Sequence, residues 1–219
     1  MWREDPEEIT DRLGWLTVHE VMHERCPELK AFAETCAADG LTHAVLAGMG
    51  GSSLAPEVLR ATFGVGPGML ELIVLDTTHP DQILAAERAL PLDHTLFVIA
   101  SKSGTTTETL SHLAYFWDKV PDGSRFVAIT DPGTPLEALA REQGFRATFL
   151  NPPDIGGATR RSRTSAWSQE LSSGRIWTVC SSGPARRPTV ASPTSRSQTI
   201  PGHGSGPRSV RPPWQVATS

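Results

Sequence analysis

Between residues 41 and 150 the sequence alternates short apolar runs with amphipathic stretches, and this rhythm limits the fold more than any other feature. The runs are His43–Ala47, Leu70–Asp76, Thr95–Ala100, Arg125–Thr130 and Ala147–Leu150. Each is short and continuous, as expected of strands buried on both faces. The intervening segments Ser53–Phe63, Asp81–Leu90, Thr106–Lys119 and Pro135–Gln143 carry helical patterns. Strand–helix–strand repetition requires right-handed crossovers and a parallel sheet covered on both sides. The expected fold is α/β: a five-stranded parallel doubly wound sheet inside a three-layer α/β/α sandwich.

Upstream, Asp5–Leu13 and Thr17–Ala38 have helical period, with Thr17 and Glu20 spaced as a capping box. Pro27 is expected to split the second stretch, because an interior proline costs a helix about 3 kcal/mol. Residues 1–40 thus form N-terminal helices packed outside a sheet domain of residues 41–157.

Composition changes abruptly at Gly157. Residues 1–157 hold 11 Lys and Arg against 23 Asp and Glu, a net −12. Residues 158–219 hold nine Arg, no Lys and a single acid, Glu170, a net +8. The formal −4 of the 219-residue chain describes neither part. Of the 62 tail residues, 41 are Ser, Arg, Pro, Thr or Gly, and Leu, Ile, Val and Phe together number seven. Such a segment cannot bury enough apolar surface to offset chain entropy, so a disordered tail is expected.

Three cysteines, Cys26, Cys36 and Cys180, are too few for a disulfide framework. Cys26 and Cys36 suit small apolar core positions. No apolar run approaches the roughly 20 residues that cross a bilayer, and the acidic N-terminus is unlike a secretory signal. A reducing, cytoplasmic compartment with no membrane partner is the expectation.

In an open parallel sheet, ligands bind beyond the carboxyl ends of the strands. After the first run comes Gly48-Met49-Gly50-Gly51-Ser52-Ser53, and after the third comes Ser101-Lys102-Ser103-Gly104-Thr105-Thr106-Thr107-Glu108. Both lead into helices, whose free N–H groups and dipole favour an anion. Five hydroxyls between Ser101 and Thr107 exceed what one N-cap requires, and Lys102 adds a positive charge. One such loop is an ordinary βα turn as readily as a site. Two at neighbouring strand ends point to a phosphate. The first loop lacks the third glycine of the dinucleotide fingerprint, since position 53 is serine, which argues against a nicotinamide cofactor at Asp76.

The strings VLAGMGGSSLAPEVLR, VLDTTHPDQI, VIASKSGTTTET and FLNPPDIGG resemble the N-terminal half of bacterial glucose-6-phosphate isomerases. They are most similar to the isomerase part of fused transaldolase/phosphoglucose isomerase proteins. The resemblance runs from about Asp5 to Gly157, with four motifs in order. It implies the sugar isomerase (SIS) fold, a glucose 6-phosphate or fructose 6-phosphate ligand, aldose–ketose isomerisation through an enediol, and a homodimer for the intact family. It further implies that Ser101, Lys102, Ser103 and Thr106 hold the phosphate, that Gly51 and Ser52 lie against the sugar, and that Asp76 and Asp81 cap the turn after the second strand. No cofactor, metal or nucleic acid is implied.

Isomerisation also needs a base to move a proton between carbons and a cation to stabilise the enediolate. In the resembled family that cation is the arginine directly after the NPPDIGG motif. Here Ala158 follows Gly157, and the later acid/base motifs do not appear. No catalytic residue is therefore assigned, and this chain is expected to bind sugar phosphate without turning it over.

The break inside a motif suggests a shifted reading frame. With one base restored after the Gly157 codon, residues 158–178 can be back-translated so that the chain continues RYSALTHFGLVPGALIGPDLD, beginning with the missing arginine. The freedom is limited, since two bases of each tail codon pass into each recovered codon. The expectation is that residues 158–219 are wrong-frame translation. The competing reading is a genuine basic tail that binds nucleic acid or another acidic partner.

Two other functional classes compete. His19-Glu20-Val21-Met22-His23 matches the HExxH zinc-hydrolase pattern, with Cys26 nearby, although Pro27 follows almost at once. A non-catalytic SIS module that senses sugar phosphates would normally bring a DNA-binding segment, and no basic recognition helix precedes the sheet. His43, His79 and His94 fall at strand edges or turns and are read as structural or exposed.

Overall fold

The computed structural model describes residues 18–152. The N-terminal helix expected at Asp5–Leu13, the boundary at Gly157 and the tail lie outside them. The first element, α1 (Val18–Ala38), is one uninterrupted helix with Pro27 inside it. The expected break at Pro27 does not occur. Met22, Cys26, Leu29, Ala33 and Cys36 form one buried stripe on both sides of the proline, while Pro27 is exposed. Packing that stripe on the sheet aligns both halves, and the carbonyl that loses its proline-side donor belongs to His23, an exposed residue.

The sheet follows the expected rhythm: β1 (His43–Gly48), β2 (Glu71–Leu75), β3 (Thr95–Ala100), β4 (Phe126–Thr130) and β5 (Ala147–Leu150). Between them lie α2 (Leu54–Phe63), α3 (Pro80–Ala89), α4 (Thr107–Lys119) and α5 (Pro135–Glu142). No element end differs from expectation by more than one residue, and half coincide with it, within the usual fraying. All strands pair parallel, in the order β2-β1-β3-β4-β5. This is a doubly wound order whose direction reverses between β1 and β3.

Two apolar layers sandwich the sheet. On one face Met22, Leu29, Ala33 and Cys36 of α1 pack on Leu46, Leu72, Val98, Val127 and Ile129. On the other, Leu113 and Phe116 of α4 and Leu136 and Ala140 of α5 pack on Val45, Phe97, Ile99, Phe126 and Ala128. Phe97 stacks between Phe116 and Phe126, at ring-centroid distances of 4.8 and 5.0 Å. The central strands β3 and β4 are buried at every position. That is why their sequence shows no alternation. β2 and β5, at the edges, are only partly covered.

No helix among the described residues is long and apolar enough to cross a membrane.

Candidate phosphate-binding site

Gly48 and Ala100 are paired at the carboxyl ends of β1 and β3, so the two loops singled out in the sequence leave the sheet side by side. They do so at the reversal of strand order, where a doubly wound sheet opens a crevice. The approach is close. A Cβ on Gly48 would lie 3.0 Å from Ser52 Cβ and 3.3 Å from the Ala100 carbonyl oxygen. Met49 then leads into a single turn, Gly50–Ser52, whose Gly50 has φ +58°. Ser52 and Ser53 are buried, and the Ser53 hydroxyl donates to the Gly50 carbonyl at 3.0 Å.

The second loop is held more tightly. Ser101, 2% exposed, donates its N–H to the Ile129 carbonyl, and its hydroxyl lies 2.8 Å from Thr106 Oγ1. Ser103 Oγ accepts from the Thr105 N–H at 3.2 Å and from the Thr105 hydroxyl at 2.8 Å. Thr106 is the N-cap residue of α4, yet it makes no side-chain capping bond to that helix. By contrast Thr134, at the start of α5, accepts from the Glu137 N–H at 3.3 Å as a cap should. The first N–H groups of α4 therefore keep no Thr106 side-chain partner and can serve an anion, with the helix dipole behind them.

Gly104 explains how the loop fits its neighbours. Its φ is +66°, and a Cβ there would lie 2.8 Å from Thr134 Cβ and 2.9 Å from the Leu136 nitrogen. The loop thus presses against the start of α5. Thr134 in turn shares a 2.8 Å hydrogen bond with Thr130 at the end of β4.

Of the sequence-derived residues, Ser101 and Thr106 meet directly, Ser103 braces Thr105, and Gly51 and Ser52 sit in the adjoining turn. Lys102 forms an ion pair with Asp131 at 3.6 Å. Asp131 and its partner Asn151 were not singled out in the sequence. Both directly follow strands, β4 and β5, so the carboxyl-end rule could have found them.

His112 was missed as well. It is 1% exposed, and its Nε2 lies 2.9 Å from the Thr77 carbonyl, tying α4 to the turn after β2. That turn departs from expectation. The hydroxyl of Thr77, rather than Asp76 or Asp81, accepts from the backbone there, taking the His79 N–H at 3.1 Å.

The side chains of His19 and Glu20 lie outside the described residues, and His23 is exposed on α1. Among the described residues no group of three or more His, Cys, Asp or Glu is placed to hold a metal. A groove of about 300 Å³ between α4 and α5 is lined by Leu110, Leu113, Trp117, Leu139 and Phe145. Apart from Gln143 the rest of its lining is apolar, and no Lys, Arg or His lines it.

The sequence pattern of the phosphoglucose isomerase family matches residues 15–120, which take in both loops. Those residues belong to the phosphoglucose isomerase family. A glucose-6-phosphate isomerase of Thermus thermophilus is 37% identical over 152 residues, covering 66% of this chain and 35% of the relative. The enzyme of the same name from a Synechococcus species is 36% identical over 126 residues, covering 54% and 23%. The chain thus spans about a third or less of the isomerases it matches. The crystal structure of a glucose-6-phosphate isomerase from Chlamydia trachomatis superposes with a TM-score of 0.62 at 25% identity, covering 70% of this chain and 30% of that one. A hypothetical protein from Thermus thermophilus gives 0.65 at 31% identity, covering 75% and 40%.

Proposed function

We propose that this chain carries the sugar-phosphate-binding part of a glucose-6-phosphate isomerase. On this reading the phosphate of glucose 6-phosphate or fructose 6-phosphate sits at the N-terminus of α4, held by Ser101, Lys102, Ser103 and Thr106. The sugar lies against Gly51 and Ser52. The observation that carries the reading is Thr106: an N-cap threonine whose hydroxyl turns to Ser101 and leaves its own helix uncapped. Backbone N–H groups, three hydroxyls and one ammonium then serve an anion through charge-assisted hydrogen bonds that a neutral sugar cannot make.

The intact enzyme would interconvert the two hexose phosphates as a cytoplasmic homodimer. This 219-residue chain by itself binds without turnover, because Ala158 stands where the resembled motif continues with the enediolate-stabilising arginine. Residues 158–219 read as a shifted frame, and resequencing the locus tests this. A frame intact through codon 158 as given overturns it.

Two measurements test the functional reading. Calorimetric titration should show glucose 6-phosphate binding and glucose failing to bind. A coupled assay should find no turnover above background. Equal affinity for glucose would remove the phosphate site, and turnover would remove the claim that the arginine is required.

A further inference from the structure

The carboxyl ends of β3, β4 and β5 bring an ammonium, a carboxylate and an amide together. Lys102 Nζ lies 3.6 Å from Asp131 Oδ2, and Asn151 Nδ2 donates to Asp131 Oδ1 at 3.3 Å. The Asp131 side chain is 13% exposed, that of Lys102 37%, and Asn151 is buried. The backbone fixes their spacing. The Asp131 N–H donates to the Lys102 carbonyl at 3.3 Å, and the Asn151 N–H to the Thr130 carbonyl at 2.9 Å. A short side chain anchored at a strand end, braced by a buried amide, loses little entropy in meeting its partner. This sets the pair apart from two long side chains on an open surface.

A carboxylate here is chemically contrary to an anion site. It repels an incoming dianion and occupies the cation that should receive it. We infer that Asp131 is the resting counter-ion of Lys102, and that a ligand phosphate must draw Lys102 away from it. Asn151 keeps the carboxylate turned towards Lys102. Asp131 thereby sets the affinity of the site below what the hydroxyls, amides and ammonium would reach alone, and it recaptures Lys102 when the phosphate departs. This inference rests on the proposed phosphate site.

Inorganic phosphate titrated into the 219-residue chain, followed by NMR, tests it. Asp131→Asn keeps the shape of the side chain and a hydrogen-bonding partner for Asn151. It should bind phosphate about fivefold more tightly, the equivalent of ~1 kcal/mol. Asp131→Ser, a second neutral variant, should show the same direction should the first fold poorly. Lys102→Met should weaken binding, and most of the Asp131→Asn gain should vanish in that background, because the competition is for Lys102.

Neutral variants that bind no more tightly than the parent overturn the inference. So does a gain of equal size with and without Lys102, which would mean repulsion through space alone. Failure of the parent chain to bind phosphate sinks both the inference and the site. If the parent binds and Lys102→Met weakens it while Asp131→Asn changes nothing, only the counter-ion role falls.

Discussion

Gly104→Ala is the most revealing single substitution, because the structure predicts a cost with two separable parts. The first is conformational: φ of +66° is costly for any residue with a Cβ, by about 1–2 kcal/mol. The second is steric. The new methyl would stand 2.8 Å from Thr134 Cβ and 2.9 Å from the Leu136 nitrogen, and the second of these is backbone that cannot swing aside. Overpacking of this kind costs about 1–3 kcal/mol. Gly133→Ala is the internal control. Its φ is +75°, yet a Cβ there meets nothing within 4 Å, so only the conformational part applies.

The assay is urea unfolding of the two variants beside the parent. At roughly 2 kcal/mol per molar urea, Gly104→Ala should lower the midpoint by about 1.5 M and Gly133→Ala by about 0.5 M. Residual phosphate binding in Gly104→Ala should also fall, because relieving the overlap moves the loop that holds Ser103 and Thr106. Equal midpoints for the two variants would refute the claim that the loop is packed against α5.

Much of this architecture was legible because its physics is local. β3 and β4 are continuous apolar runs, since both of their faces are covered, and glycine or hydroxyl clusters mark where each strand gives way to a helix. Pro27 misled for a non-local reason. The helix penalty is read at one position, whereas the stripe that outweighs it, Met22 to Cys36, stabilises only once the sheet is beneath it. The two loops were visible as composition, but the decisive detail was not. Nothing in the string SKSGTTTE says that Thr106 turns to Ser101 instead of capping α4. The carboxyl-end rule marks Asp131 and Asn151 as positions, but their pairing, like that of His112, joins residues 20 or more apart, which only the strand order reveals.

Other perturbations bear on the same structure. Pro27→Ala should restore the missing backbone hydrogen bond inside α1 and raise the unfolding free energy by up to ~3 kcal/mol, measured by urea denaturation. A loss of stability would mean that the helix needs the proline. Burial pushes the Cys36 thiol up to about 11 from an ordinary 9.0. The folded state therefore holds this proton more tightly than the unfolded one. Its stability contribution is complete below pH 9 and declines as pH rises towards 11, by on the order of 3 kcal/mol. Iodoacetamide at pH 8 should accordingly leave Cys36 unmodified in native protein and alkylate it in urea, as located by peptide mass spectrometry. Ser101→Ala and Thr106→Val each remove one arm of the 2.8 Å hydrogen bond and should weaken phosphate binding about tenfold, with smaller effects on the melting temperature.

The central claim is that two adjacent βα loops form a phosphate cradle. Amide chemical-shift mapping of the 219-residue chain with glucose 6-phosphate, and with glucose as the control, tests it most directly. The account predicts saturable shifts at Gly51, Ser52 and Ser101 through Thr107 with the phosphorylated sugar, and none with glucose. Shifts centred elsewhere, such as in the groove between α4 and α5, or identical shifts with glucose, would contradict it.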